Sequence, residues 1–327
     1  MRLPARLAAL AGAAALAALS WRCGDAGGPV PPDPVEIAAA TITAADMGRW
    51  IGALADDSMR GRQTPSVEIE QAADAIAQHL YAAGLQPLFG TQWKQYYPVP
   101  KSTTGEFAPN VGAWRQGRDP AVRDQYVLYV AHMDHIGIGM PVDGDSIYNG
   151  ADDNASGTSA VLEIAEAVGA LDSAPRRSVI VLLVSGEEHG FWGSKAFVGS
   201  PPVPLSGIVA VFNLDMVSRN HPDSMPVAGM DMTTLGDAVA AAAAAHPEDH
   251  LAVRDGPGGL SDHLPFGSEG IPWLLFFSGL HGDYHRPSDE PSHSDPDKAA
   301  RVARLAFRTG MLVANADARP GPRSTSP

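Results

Sequence analysis

The chain has 327 residues, 45% of them hydrophobic and 18% charged, with a formal net charge of −14. That length allows one large domain or two ordinary ones, with enough core that neither a disulfide nor a metal is needed merely to hold the fold. An acidic balance without a Lys/Arg run excludes a nucleic-acid groove and a polybasic membrane patch, and a single cysteine, Cys23, excludes an intrachain disulfide.

Arg2 and Arg6 make a basic start, followed by the 13-residue apolar stretch LAALAGAAALAAL and the small-x-small triplet Ala18-Leu19-Ser20. The apolar run is too short to cross a bilayer. Residues 1–20 therefore read as a secretory signal peptide, and we expect an exported protein, periplasmic or extracellular. Cys23 stands where a lipoprotein accepts its lipid, although Arg22 takes the place normally given to a small residue. A lipid anchor at Cys23 is the lesser expectation. The Gly/Pro-rich stretch after it marks 21–41 as a linker, and ADARPGPRSTSP marks 316–327 as a disordered tail. Residues 42–315 remain as one domain.

Within that domain, Ile69, Ala73, Ile76 and Leu80 fall at helical spacing, and Gly84 ends the helix. Four apolar runs follow: YVLYVA (126–131), SVIVLLVS (178–185), IVAVFNL (208–214) and PWLLFFS (272–278). Each is strand-like in length and rich in β-branched or aromatic residues. Val161, Ile164, Ala165 and Val168 make a helical stripe; 237–246 and 297–313 suggest two further helices. Continuously apolar strands alternating with helices predict an α/β fold, a three-layer α/β/α sandwich with a mixed, mostly parallel central sheet.

In such a sheet ligands bind beyond the carboxyl ends of the strands. His132, Asp134 and His135 follow the first run, Glu187 and Glu188 the second, Asp215 the third, and Tyr284 and His285 come after the fourth. Asp152 and Asp153 sit at the start of the helix between the first two runs. Carboxylates converging on one rim repel each other and are costly to bury unless cations neutralise them. Imidazoles mixed with carboxylates suit zinc, and this set is what two zinc ions sharing a carboxylate would require. In His132-x-Asp134 both side chains fall on one face of an extended segment, so Asp134 can fix the imidazole tautomer. Glu187 and Glu188 should point apart, one to metal and one to substrate.

The motifs HMDHIG, GADDNASG, SGEEHGFWGS, NLDMV and SDHLPF…YHRPSDE, in that order, resemble the M28 family of zinc aminopeptidases over roughly residues 42–313. LQPLFGTQWKQYYPV matches the family's usual lead-in, and the short stretch after it leaves no room for a protease-associated domain. The resemblance implies two zinc ions: His132 and Asp215 on one, Glu188 and His285 on the other, Asp153 bridging both. It implies Glu187 as general base, Asp134 in support of His132, a cis peptide at Asp153-Asn154, and peptide substrates with a free N-terminus. One departure concerns a tyrosine that some members carry shortly before Ser-Asp-His. Here that stretch is DGPGGL with Gly258, leaving Tyr284, His263 or Arg254 to replace it.

Other residues have blander readings. Asp152 reads as a structural acid at a helix start, His135 as a packing residue behind a turn, and Ser261 as the N-cap of a short DHLPF helix. Asp262 and His263 either line the substrate pocket or do not; Met140 and Trp192 are core or rim; His189 and His281 are surface histidines. Two other functions stay open. A glutaminyl cyclase would use one zinc and carry tryptophan where Tyr284 stands, and a non-catalytic homologue would bind peptides without cleaving them. No G-x-S-x-G or H-E-x-x-H motif is present. Side-chain preference and oligomeric state have no signature in the chain.

Overall fold

Residues 33–323 are described by a computed structural model; the expected signal peptide at 1–20 and Cys23 lie outside them. The elements run α1 (Pro34–Ala39), α2 (Ala44–Leu54), α3 (Val67–Ala82), β1 (Gln86–Pro87), β2 (Lys94–Pro98), β3 (Phe107–Arg115) and β4 (Tyr126–His132). A hairpin follows, β5 (Gly137–Val142) and β6 (Asp145–Tyr148), then α4 (Gly157–Ala170), β7 (Ser178–Val184), α5 (Trp192–Gly199) and β8 (Ile208–Asp215). The last part is β9 (Ser224–Ala228), α6 (Leu235–Ala245), β10 (Ala252–Asp255), α7 (His263–Ser268), β11 (Trp273–Phe277) and α8 (Pro296–Asn315).

The main sheet has nine strands in the order β1-β3-β7-β4-β8-β11-β9-β10, with β2 also on β3. The four apolar runs become β7, β4, β8 and β11, which lie side by side and parallel. Alternate residues of β4 enter different cores. Val127, Tyr129 and Ala131 pack beneath α4 and α8, whereas Leu128 and Val130 pack with Phe197 of α5 and Phe266 of α7. Burial on both faces explains why these strands are apolar throughout. Parallel pairing does not extend over the whole sheet. β3 pairs antiparallel with β1, β2 and β7, and β11 antiparallel with β9. β2 and β3 are joined directly without a crossover helix, which permits only the antiparallel arrangement.

The domain begins earlier than position 42. α1 is capped by the Asp33 carboxylate on the Val35 N–H, and Ala38 and Ala39 are fully buried. Glu36 pairs with Arg308 of α8 at 2.7 Å, tying the supposed linker to the last helix. The tail is also docked as far as it is described: Pro322 forms a β-bridge with Thr233, and Arg323 pairs with Asp237.

Because the four central strands are parallel, their carboxyl ends share one edge. His132 ends β4, Asp215 ends β8, and Glu187 and Glu188 follow β7 directly. Asp153 lies in an irregular turn, 151–156, that leads into α4, and the peptide between Asp153 and Asn154 is cis.

Candidate metal centre

Two groups of ligand-type atoms form at that edge, each within 4.8 Å: His132, Asp153 and Asp215, and His135, Asp153 and Glu188. Asp153 belongs to both. His132 Nε2 lies 3.4 Å from Asp153 Oδ1 and 3.5 Å from Asp215 Oδ1. On the other side His285 Nε2 lies 3.2 Å from Asp153 Oδ2 and 3.1 Å from Glu188 Oε2. The structure thus brings together His132, Asp153, Glu188, Asp215 and His285, with the two oxygens of Asp153 facing opposite ways. Glu187 turns away from Glu188 and lines a cavity of about 310 Å³ with His132, Asp153, Asp215 and Tyr284.

Asp134 lies beside His132. His132 Nδ1 donates to the Asp134 backbone carbonyl at 3.2 Å, while the Asp134 carboxylate is 3.7 Å away. That carboxylate accepts the Glu187 N–H at 3.3 Å. Asp134 thus faces His132 Nδ1 with its carbonyl and, farther off, its carboxylate, and that carboxylate also holds the turn that carries both glutamates.

The electrostatics are those of a site short of cations. Burial, set partly against by His132 and reinforced by Asp262, Asp215 and Glu188, pushes the Glu187 carboxyl up to about 10. Burial disfavours charge on His285, but Asp153 and Glu188 outweigh it and raise the ring to about 10. His132 is likewise raised well above its ordinary value by Asp215 and Glu187 against the cost of burial. Burial and the Glu188 charge raise Asp153. Burial opposes ionisation of Glu188 too, yet the histidines on either side hold it well below the ordinary range. Asp215 Oδ1 and Asp134 Oδ2 are buried without a hydrogen-bond partner. A buried carboxylate excess, orphaned oxygens and a mixed N/O donor set fit divalent zinc.

The loop carrying Asp153 is held from two sides. Arg62, fully buried, donates from Nη1 to the Asn149 carbonyl at 2.7 Å, from Nη2 to Gly150 at 3.0 Å and from Nε to Met133 at 3.0 Å. Asp289, also fully buried, accepts the N–H groups of Asp152 at 3.1 Å and Asp153 at 3.0 Å. Its own carbonyl accepts the N–H of Ala151 at 3.0 Å. Asp152 is structural: its Oδ1 accepts from Ser156 Oγ at 3.1 Å and from the Ser218 N–H and hydroxyl at 2.8 and 2.7 Å. His281 is no surface residue, since its Nε2 sits 3.3 Å from Asp152 Oδ2. His189 stacks on Trp192 at 4.6 Å.

Ser261 lines the cavity and does not cap α7; its hydroxyl accepts from Asn213 Nδ2 at 2.7 Å. Asp262 and His263 are buried behind the wall, Asp262 accepting from Ser194 Oγ at 2.6 Å. Of the three candidates for the missing tyrosine, Tyr284 alone lines the cavity, stacked on His285 at 3.8 Å. Burial, joined by the surrounding carboxylates, pushes its hydroxyl up, so it stays protonated and can donate. Apart from Ser261, the rest of the wall is apolar: Met216, Leu260, Leu275, Phe277 and Leu280, with Gly258 and Gly259. Met140 is exposed.

Four residues of this region have no reading as site residues in the sequence: Arg62, His135, His281 and Asp289. The first and last act on backbone atoms far away in the chain, which leaves no spacing to read. His135, expected to be packing, has Nδ1 2.8 Å from Glu188 Oε1. Its position directly after His132-x-Asp134 was the available signal.

An acid-and-imidazole cluster at the carboxyl edge of a mixed sheet, with a glutamate facing an apolar cavity, defines a metallopeptidase-type α/β protein. The model of Peptidase family M28 matches residues 110–309, more than half of the chain, and the chain belongs to that family. Aminopeptidase YwaD of Bacillus subtilis is 30% identical over 228 residues, covering 66% of this chain and 47% of its own length. The chain thus spans about half the length of that curated relative. BSAP, a zinc aminopeptidase from Bacillus subtilis, superposes with a TM-score of 0.65 at 16% identity, covering 82% of this chain and 94% of that one. Porphyromonas gingivalis glutaminyl cyclase does so with 0.66 at 20% identity, covering 82% and 97%. The fold alone therefore does not separate peptidase from cyclase.

Proposed function

We propose that the protein is an exported dinuclear zinc aminopeptidase that removes N-terminal residues from peptides. The observation that carries this reading is Asp153, one carboxylate with an oxygen in each of the two ligand groups, beside a glutamate that faces the cavity. His132, Asp215 and Asp153 would hold one zinc, and Glu188, His285 and Asp153 the other. Two such ions supply Lewis acidity to the scissile carbonyl and lower the pKa of water enough for attack at neutral pH. Glu187 takes the proton of the attacking water and delivers it to the leaving amine, a role worth about 10²–10⁴-fold. Tyr284 donates its hydroxyl to the developing oxyanion. The carboxylate-rich rim attracts the free α-amine, which restricts cleavage to the N-terminus. The apolar wall receives the side chain of the first residue.

The test uses the mature protein stripped of metal and titrated with zinc, acting on a mixture of peptides each present free and N-acetylated. Stepwise loss of N-terminal residues from the free forms only, saturating near two zinc per chain, is the expected result. Loss of one ammonia from N-terminal glutamine without cleavage, at one zinc per chain, would establish the cyclase instead. No change in any peptide would leave a binding protein.

A further inference from the structure

We propose that His135 is a positioning residue for the metal centre: it holds one oxygen of Glu188 so that only the other is left to bind metal. The inference rests on the dinuclear reading and concerns a residue outside its set of ligands. The geometry divides the Glu188 carboxylate. Oε1 is 2.8 Å from His135 Nδ1, and Oε2 is 3.1 Å from His285 Nε2. His285 is at the same time 3.2 Å from Asp153 Oδ2, whereas His135 is 3.8 Å from it. Glu188 Oε2, Asp153 Oδ2 and His285 Nε2 would hold a metal, while His135 Nδ1 stays on the other oxygen of Glu188.

The imidazole is built into this place. Its ring is fully buried, and Gly150, at φ +61°, lies against it so closely that a Cβ there would come within 2.4 Å of the ring. An ionised carboxylate only accepts, so Nδ1 must carry the proton, and Nε2 is left as a bare acceptor. Nε2 is indeed buried without a partner. An apolar residue of similar size would avoid the unpartnered Nε2 but would strip Glu188 Oε1 of its donor. The ring is kept for its one donor. A histidine N–H fixed on a metal-binding carboxylate makes that ligand one-handed and sets its direction, and removal of such outer partners typically weakens metal binding about 10–100-fold.

The test compares the full chain with H135L and H135N. Asparagine places an amide N–H where Nδ1 stands but is a poor metal ligand, whereas leucine keeps the bulk and loses the donor. Zinc affinities are measured by competition with a chromophoric chelator, and the melting temperature is taken in the metal-free state. We expect two zinc per wild-type chain, one of the sites weakened about 10–100-fold in H135L, and most of that loss recovered in H135N. Metal-free melting temperatures should not follow the same order. Unchanged zinc affinity in H135L would overturn the proposal, as would an H135N as weak as H135L, which would make the ring a ligand or a spacer. A wild-type chain that takes up fewer than two zinc would instead overturn the dinuclear reading, and this inference with it.

Discussion

Two buried charge clusters in this protein are built on opposite principles. Between α1, α8 and the turn before β10, Arg308 pairs with Glu36 and Asp249, Arg304 with Asp249, and Arg301 with Asp223 and Asp297. Each carboxylate there has a guanidinium of its own chain. At the carboxyl edge of the sheet, the ion-pair partners of Asp134, Asp153, Asp215 and Glu188 among the described residues are all histidines, and Glu187 has none. The nearest guanidinium, Arg62, spends its donors on carbonyls. Three guanidiniums face four carboxylates in the first cluster, which holds elements together. The second has imidazoles alone against its carboxylates. Charge balance, more than burial, separates structural from functional here.

Several substitutions would break or sharpen this contrast. The largest effect should come from E187Q, which removes the proton acceptor and leaves the metal ligands: kcat should fall about 10²–10⁴-fold with zinc content unchanged. Substantial remaining activity would place the base elsewhere. Y284F should lower kcat by about 10²-fold with little change in KM, as expected for one oxyanion donor. A larger effect on KM would make Tyr284 a binding residue. In the first cluster, R308M should cost about 1–3 kcal/mol in a denaturant titration, Glu36 being partly exposed, and leave zinc affinity unaltered. Altered zinc binding there would show that the clusters are coupled.

The smallest effect concerns Glu163 of α4, a buried carboxylate with no ion-pair partner among the described residues and only Arg49 and the Thr43 backbone nearby to favour its charge. Burial, with Asp46 and Glu166 nearby, raises it to about 8. Its folded value lies above its unfolded one, so the fold prefers the protonated form. Stability should be lost as pH rises from about 4.5 towards 8. E163Q should therefore raise the melting temperature at pH 8 by an amount equivalent to about 1 kcal/mol, and do nothing at pH 4. Equal effects at both would remove ionisation as the cause.

The central strands were legible because burial on both faces demands unbroken apolar runs, and the rim residues were legible because they stand directly after those runs. β3 escaped because Pro109, Asn110 and Gly112 interrupt its pattern, although its central residues are buried. Asn110 is there for its side chain, which donates to the Gly193 carbonyl at 2.8 Å. α1 was taken for linker because its buried face is only alanine, behind a proline-rich approach. The contacts of Asp134 are a different case. Spacing places two side chains on one face, but it cannot tell that a neighbouring carbonyl will reach the imidazole first.

The clamp on the Asp153 loop has a bearing on when the site can form. Arg62 comes from near the start of the domain and Asp289 from near its end, and the loop they grip lies between. A chain emerging from a ribosome or a translocation pore would carry His132, Asp153, Glu188 and Asp215 long before Asp289 arrived. Until then the bridging carboxylate is unanchored, and the ligands are an ordinary acidic stretch of polypeptide. The two holds on that loop can therefore both be in place only once the chain extends to Asp289.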